Sequence, residues 1–211
     1  MQIHAVIFDY GGVLCFPPSD EQIARAAGRC GLSSSEFLKA FWSIRTDYDA
    51  GRLTPDQYWR MVATNAGRAF DDQLLAQMME AEIDFWSRLD HPVIAWNDQL
   101  RSQGLKTAML SNLPSPLGLR LRSENFYDHF DHATLSFELG AVKPQREIYE
   151  DAIRGLGIAP EQALFLDDRE ENVHGARSLG LNAERFTSWK AFLQETPQRY
   201  ALPMPAVARR Q

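Results

Sequence analysis

Residues 5–9, Ala-Val-Ile-Phe-Asp, with Tyr10 and the pair Gly11-Gly12 directly behind them, constrain the fold more than any other stretch. Four apolar residues in a row do not alternate with polar ones. They read as a short strand buried on both faces, which is typical of parallel sheets covered by helices on either side. Asp9 puts a carboxylate at the end of that strand. The two glycines after it allow a sharp turn or a close backbone approach to a ligand. Ligands of open α/β sheets bind outside the carboxyl ends of the strands. Asp9 thus stands where chemistry is found, and equally where an aspartate caps a turn; the stretch alone supports both readings.

A lone strand needs partners, and the second half of the chain offers them. Apolar runs at 106–110, 132–135, 163–166 and 182–186 read as strands. Helical periods fall between them at 93–103, 117–125, 144–155, 170–179 and 188–194. The helix over 144–155 is expected to start at Pro144 and to end at Gly155. Alternation of this kind predicts right-handed crossovers and a parallel sheet. Residues 21–89 show helical spacing and no strand. Ser33-Ser-Ser-Glu36 is a capping box, and Phe37, Leu38, Phe41 and Trp42 fall on the apolar side of the helix it opens. Thr54-Pro55 starts another helix. Trp42, Trp59, Met61, Met78, Met79 and Trp86 read as core of this helical insert. The expected division is an α/β core over 1–16 and 91–211, interrupted by a helical unit over 17–90. The joints at 15–18 and 90–92 are placed to act as a hinge. The tail over 197–211 holds three prolines and no period, and is expected to be extended or irregularly docked.

Composition narrows the function classes. The net charge is −6, and no basic cluster stands out besides Arg209-Arg210, so no nucleic-acid footprint is present. No apolar run approaches the ~20 residues that cross a bilayer. The N-terminal stretch has no signal-peptide pattern, and Cys15 and Cys30 form no metal or disulfide framework, which together suit a reducing cytoplasm. The sequence does not set an oligomeric state.

Three strand ends carry polar residues that the strands do not need: Asp9, Ser111-Asn112 and Asp167-Asp168. Lys143 precedes the expected Pro-started helix. In a parallel sheet these groups share one edge. Two neighbouring carboxylates repel unless a cation or a proton lies between them, and Mg²⁺ suits a few carboxylates with room left for phosphate. Lys143, Ser111 and nearby amides would hold a dianion, which is what phosphoryl transfer requires. Taken singly, each has a plainer reading: a strand-to-loop pair, a surface lysine, a helix cap. Asn172, Gly175 and Ala176 read as helix packing, and the five histidines as structural.

In that order and spacing the residues resemble the haloacid dehalogenase-like hydrolase superfamily. Ile7-Phe-Asp-Tyr-Gly-Gly-Val-Leu14 looks like its first motif and Met109-Leu-Ser-Asn112 like its second. Lys143-Pro144 looks like the third, and the stretch from Phe165 to Ala176 like the fourth. The resemblance implies a Rossmann-like three-layer α/β/α core with an inserted helical cap. It also implies a Mg²⁺-dependent phosphatase of small phosphate esters. By that resemblance Asp9 is the nucleophile that becomes an aspartyl phosphate. Asp9, Asp168 and the main-chain carbonyl of Gly11 are metal ligands, and Asp167 is a ligand or supports one. Ser111, Asn112 and Lys143 bind the transferring phosphoryl group.

One departure stands out. Phosphatases of this superfamily usually carry an acid two residues after the nucleophile, where this chain has Gly11. General acid–base catalysis contributes ~10²–10⁴-fold, so an ester with a good leaving group, such as a sugar 1-phosphate, is the expected substrate type. A cap group among Arg45, Asp47, Tyr48 and Asp49 is a further candidate to enter the site. Two rival readings follow from the same residues. One is a 2-haloacid dehalogenase using Asp9 without metal, although those enzymes usually carry an aromatic residue at the position of Gly11 and lack the acidic fourth motif. The other is a catalytically weak phosphate-binding or regulatory member of the fold.

Overall fold

The computed structural model describes residues 2–205. Its centre is a five-stranded sheet formed by β1 (Ala5–Phe8), β2 (Lys106–Ser111), β3 (His132–Leu135), β4 (Ala163–Asp167) and β5 (Asn182–Arg185). The order is β3-β2-β1-β4-β5, with every pair parallel, so β1 is the middle strand. Ile7 stands opposite Ala108 on one side and Phe165 on the other. A strand hydrogen-bonded on both edges and covered on both faces must be apolar throughout, which accounts for the uninterrupted run in the sequence.

The two faces of β1 feed two separate cores. Val6 and Phe8 pack with α6 (His91–Ser102), α7 (Ser115–Ser123) and α11 (Trp189–Arg199), through Trp96, Leu100, Leu121 and Phe192. Ala5 and Ile7 pack with α9 (Arg146–Leu156) and α10 (Glu170–Ser178), through Ile148, Tyr149, Ala152 and Val173. This is the expected three-layer α/β/α arrangement, with the short α8 (Ser136–Leu139) following β3 directly.

The insert builds a third core of its own from α1 (Asp20–Arg29), α2 (Ser34–Trp42), α3 (Arg45–Asp49), α4 (Pro55–Asn65) and α5 (Asp72–Phe85). The sequence punctuates these helices as expected. Ser19, Ser33, Thr54 and Asp71 are N-caps, the first three in full capping boxes. The two linkers pair with each other: Phe16 N–H donates to Arg88 O, and Asp90 N–H to Leu14 O, both at 2.8 Å. The insert therefore leaves and re-enters the α/β core at one place.

Several expectations need correction. α9 begins at Arg146, not Pro144. Pro144 lies in a turn closed by Gln145 N–H on Val142 O, after a cis Lys143–Pro144 bond. It ends at Gly157, in the left-handed region at φ 62°, while Gly155 sits inside the helix because a Cβ there would lie 2.4 Å from the His132 ring. α11 runs on through Pro197 to Arg199. Beyond it the tail docks on α6: Leu202 is buried and Pro203 O accepts from Trp96 Nε1. The part of the expected tail over 206–211 lies outside the described residues. Trp42 and Met61 are not core but exposed, at 47% and 41%. Among the described residues no helix is long and apolar enough to cross a membrane.

Candidate active site

The carboxyl edge of the sheet brings the sequence-selected residues together. Asp9 follows β1, Ser111 ends β2 and Asp167 ends β4, in adjacent parallel strands. Asp9 Oδ1 accepts from Tyr10 N–H at 2.7 Å and lies 2.7 Å from Lys143 Nζ. Its second oxygen has no hydrogen-bond partner among the described residues. Lys143 is buried, and its three N–H groups face Asp9, Asp167 Oδ2 at 2.7 Å and Leu110 O at 3.1 Å. A buried ammonium with every donor engaged has a fixed position and a fixed charge.

Asp167 is fully buried. Besides Lys143 it accepts from Asn172 Nδ2 and from Arg169 N–H. Asn172, one turn into α10, is thus part of the site and not helix packing alone. Sequence reading missed it, and its signal was the spacing Asp167-x-x-x-x-Asn172, which folds the first turn of α10 back onto the strand end. Gly175 fills the expected packing role, since a Cβ there would lie 2.7 Å from Pro144 Cβ. The Asn112 side chain clamps the Lys143 backbone from both sides, accepting from Lys143 N–H at 2.7 Å and donating to Lys143 O at 3.1 Å. That leaves the Asn112 main-chain N–H as its group for a ligand. The Ser111 hydroxyl is buried at the edge of the cavity.

Asp9, Asp167 and Asp168 each offer a carboxylate oxygen within 4.8 Å of the others. Burial pushes the Asp9 carboxyl up to about 7; Lys143 opposes this, and the charge of Asp167 adds to it. Burial, then Asp167, also raises Asp168, which is partly open to the cavity. Burial works against the Lys143 charge, yet Asp167 and Asp9 hold its ammonium above the ordinary range. One lysine leaves three carboxylates with excess negative charge, and a hard divalent cation fits such a donor set. Gly12 completes the cradle: it sits at φ 77°, and a Cβ there would lie 2.7 Å from the Asp168 carboxyl carbon.

Above this floor is a cavity of about 920 Å³ shared by the core and the insert. The insert contributes Trp42, Arg45, Thr46, Asp49 and Trp86 to its walls. Of the four cap candidates, Arg45 and Asp49 line the cavity. Tyr48 is buried with its hydroxyl on Glu82, and Asp47 is exposed and paired with Arg52. Trp42 and Trp86 face the cavity because their helix ends, α2 and α5, overhang it.

The family model for haloacid dehalogenase-like hydrolases matches residues 3–180. The chain is 27% identical over 198 residues to a sesquiterpene phosphatase, AstK, of Aspergillus oryzae, covering 92% of this chain and 95% of that protein. It is 32% identical over 198 residues to phosphatase MT3486 of Mycobacterium tuberculosis, covering 87% of each. In fold it is similar to a HAD family enzyme from Bacteroides thetaiotaomicron, crystallised with magnesium and inorganic phosphate. That likeness has a TM-score of 0.73 at 22% identity and covers 90% of this chain and 98% of that one. The family match runs over most of the chain's length, from the first strand past the fourth, and on that ground the chain belongs to the haloacid dehalogenase-like hydrolases, as a phosphatase-type member.

Proposed function

We propose that the chain hydrolyses small phosphate monoesters through an aspartyl phosphate on Asp9, with Mg²⁺ at the acidic floor. The observation that carries this reading is the convergence of Asp9, Lys143 and Asp168, with one Asp9 oxygen left without a hydrogen-bond partner among the described residues. That oxygen is the nucleophile, and Lys143 fixes the other. The cation would be held by Asp9, Asp168 and the Gly11 carbonyl and would neutralise the charge of the phosphoryl group. Asp167 serves from behind, because Lys143, Asn172 and Arg169 N–H occupy its oxygens. The Ser111 hydroxyl and the Asn112 main-chain N–H bind the non-bridging phosphoryl oxygens, and Lys143 balances their charge from beneath.

Of the small esters, sugar phosphates suit the upper cavity. The indoles of Trp42 and Trp86 offer flat apolar faces to a ring, and Arg45 and Thr46 offer hydrogen bonds to its hydroxyls. The phosphatases among the related proteins support the reaction class. The acidic floor argues against metal-free displacement of halide, for which a cluster of carboxylates has no use.

The test is a Mg²⁺-dependent screen over phosphorylated metabolites, repeated with Asp9→Asn. Phosphate release that needs both Mg²⁺ and Asp9 is expected. Halide release from a 2-haloacid in the presence of EDTA would overturn the reading.

A further inference from the structure

The position two residues after Asp9 carries no side chain in this chain, and the space beside it is taken by Trp86. A Cβ at Gly11 would lie 3.1 Å from Cζ3 of Trp86. The Trp86 backbone is held there, since Tyr10 donates its hydroxyl to Trp86 O at 2.7 Å. The alcohol leaving from phosphorus still needs a proton, and the groups facing the cavity can be taken in turn. Lys143 has all three N–H groups engaged. Arg45 and Arg169 stay charged at any working pH. Glu171 is more than half exposed and held at 2.5 Å by Arg169. Asp9 and Asp168 belong to the nucleophile and the cation site.

Asp49, at the end of α3, is different. It is buried, it lines the cavity, and its Oδ1 accepts from Arg45 Nε at 2.7 Å. Its second oxygen has no hydrogen-bond partner among the described residues. Arg45 is shared, because its other arm is bound to Glu82 of α5. Two buried carboxylates thus divide one guanidinium, and the excess negative charge in a dry setting calls for a proton. Glu82 also accepts from Tyr48 Oη at 3.3 Å, so Glu82 has two partners and Asp49 one. The charged groups facing Asp49 are Arg45 of its own helix, with Glu82 behind it, and Arg169 and Lys143 of the core. Burial raises its carboxyl above the ordinary range, with Arg45 opposing.

The core itself holds Asp49 over the site. Ser136 Oγ donates to the Asp49 main-chain carbonyl at 2.5 Å and accepts from Leu113 N–H, two residues beyond Ser111. Gly51, at φ 69°, lies so close to Phe137 O that a Cβ would come within 2.5 Å.

We infer that Asp49 is the general acid and base of this enzyme, standing in from the cap for the acid missing at Gly11. This rests on the phosphatase reading above. In the first step an Asp9 oxygen attacks phosphorus and the bond to the ester oxygen breaks. The proton of Asp49 passes to that oxygen, which leaves as the alcohol. In the second, the Asp49 carboxylate takes a proton from water as its oxygen attacks phosphorus. The bond to Asp9 then breaks, inorganic phosphate leaves, and both carboxyl groups are restored to their starting forms. With a proton available, esters of ordinary alcohols come within range, not only anomeric ones.

The experiment compares kcat/KM for 4-nitrophenyl phosphate and n-butyl phosphate in the wild type and in Asp49→Asn. Nitrophenolate leaves without help and butoxide does not, so the butyl-to-nitrophenyl ratio is expected to fall by ~10²–10⁴-fold. A burst of nitrophenol release should also appear, as hydrolysis of the aspartyl phosphate becomes the slow step. The ratio is independent of the fraction folded, so a merely structural role would leave it unchanged, and an unchanged ratio overturns the inference. Should the variant not fold, a series of wild-type esters decides. Rates nearly independent of leaving group support Asp49, and a steep fall towards poor leaving groups overturns it. A wild type inert on every ester rejects the phosphatase reading and this inference with it, whereas an active wild type with an unchanged ratio rejects the role of Asp49 alone.

Discussion

Lys143 sets the charge balance of the floor. It is the ammonium between two buried carboxylates, Asp9 and Asp167, so removing it leaves both without a counter-charge. Lys143→Met is expected to destabilise the protein by about 3–5 kcal/mol and to abolish turnover. Thermal melts with and without Mg²⁺ check the first, and the cation should recover part of the loss. Asp9 makes a second prediction. Its carboxyl is raised to about 7, so the protonated form favours the fold, and that stability is lost as pH rises from the ordinary carboxylate range through about 7. Mg²⁺ must displace the same proton. Its stabilisation in a melting assay should therefore be larger at pH 8 than at pH 6, with apparent affinity about tenfold weaker per pH unit below 7. An equal shift at both pH values would show that Asp9 is not part of the cation site. The residues of the floor were legible in the sequence, because parallel strands oblige their carboxyl ends to share an edge. Asn172, Trp42 and Trp86 were not. What Trp42 and Trp86 face depends on how the cap sits, and no periodicity within the cap encodes that.

At the scale of elements, the short helix α3 and the turn behind it matter out of proportion to their length. Gly51 meets two demands, a left-handed backbone and the approach of Phe137 O. Gly51→Ala is expected to cost about 1–3 kcal/mol. It should also lower kcat/KM, because the same seat places Arg45 and Asp49. A melting curve and a rate on one preparation test both. Helix starts in the cap were legible because a capping box is a local hydrogen-bond pattern, as Ser33 and Glu36 show. The start of α9 was misplaced because a proline suits the first turn of a helix and a tight turn equally well. The length of α11 was underestimated for a related reason. Pro197 argues locally for a stop, while burial of Phe192, Thr196 and Pro197 carries the helix onward.

At the scale of the whole molecule, two bodies with separate cores meet over one cavity and are joined by a pair of hydrogen-bonded linkers. That pairing bears on how the chain finds its fold. β1 must meet β2 about a hundred residues later, as Ala5 pairs with Lys106, and such non-local pairing is slow because the loop must close first. A cap that folds first would bring residues 14 and 90 together and shorten the effective loop between Ala5 and Lys106 to about twenty-five residues. The closure entropy saved is about 1.2 kcal/mol, on the order of tenfold in rate. Trp59→Ala, which opens the centre of the cap core at a cost of about 3–5 kcal/mol, should therefore slow the refolding of a sheet it never touches. Stopped-flow refolding would show this directly. The insertion that interrupts the first strand's search for its neighbours is also the device that shortens it.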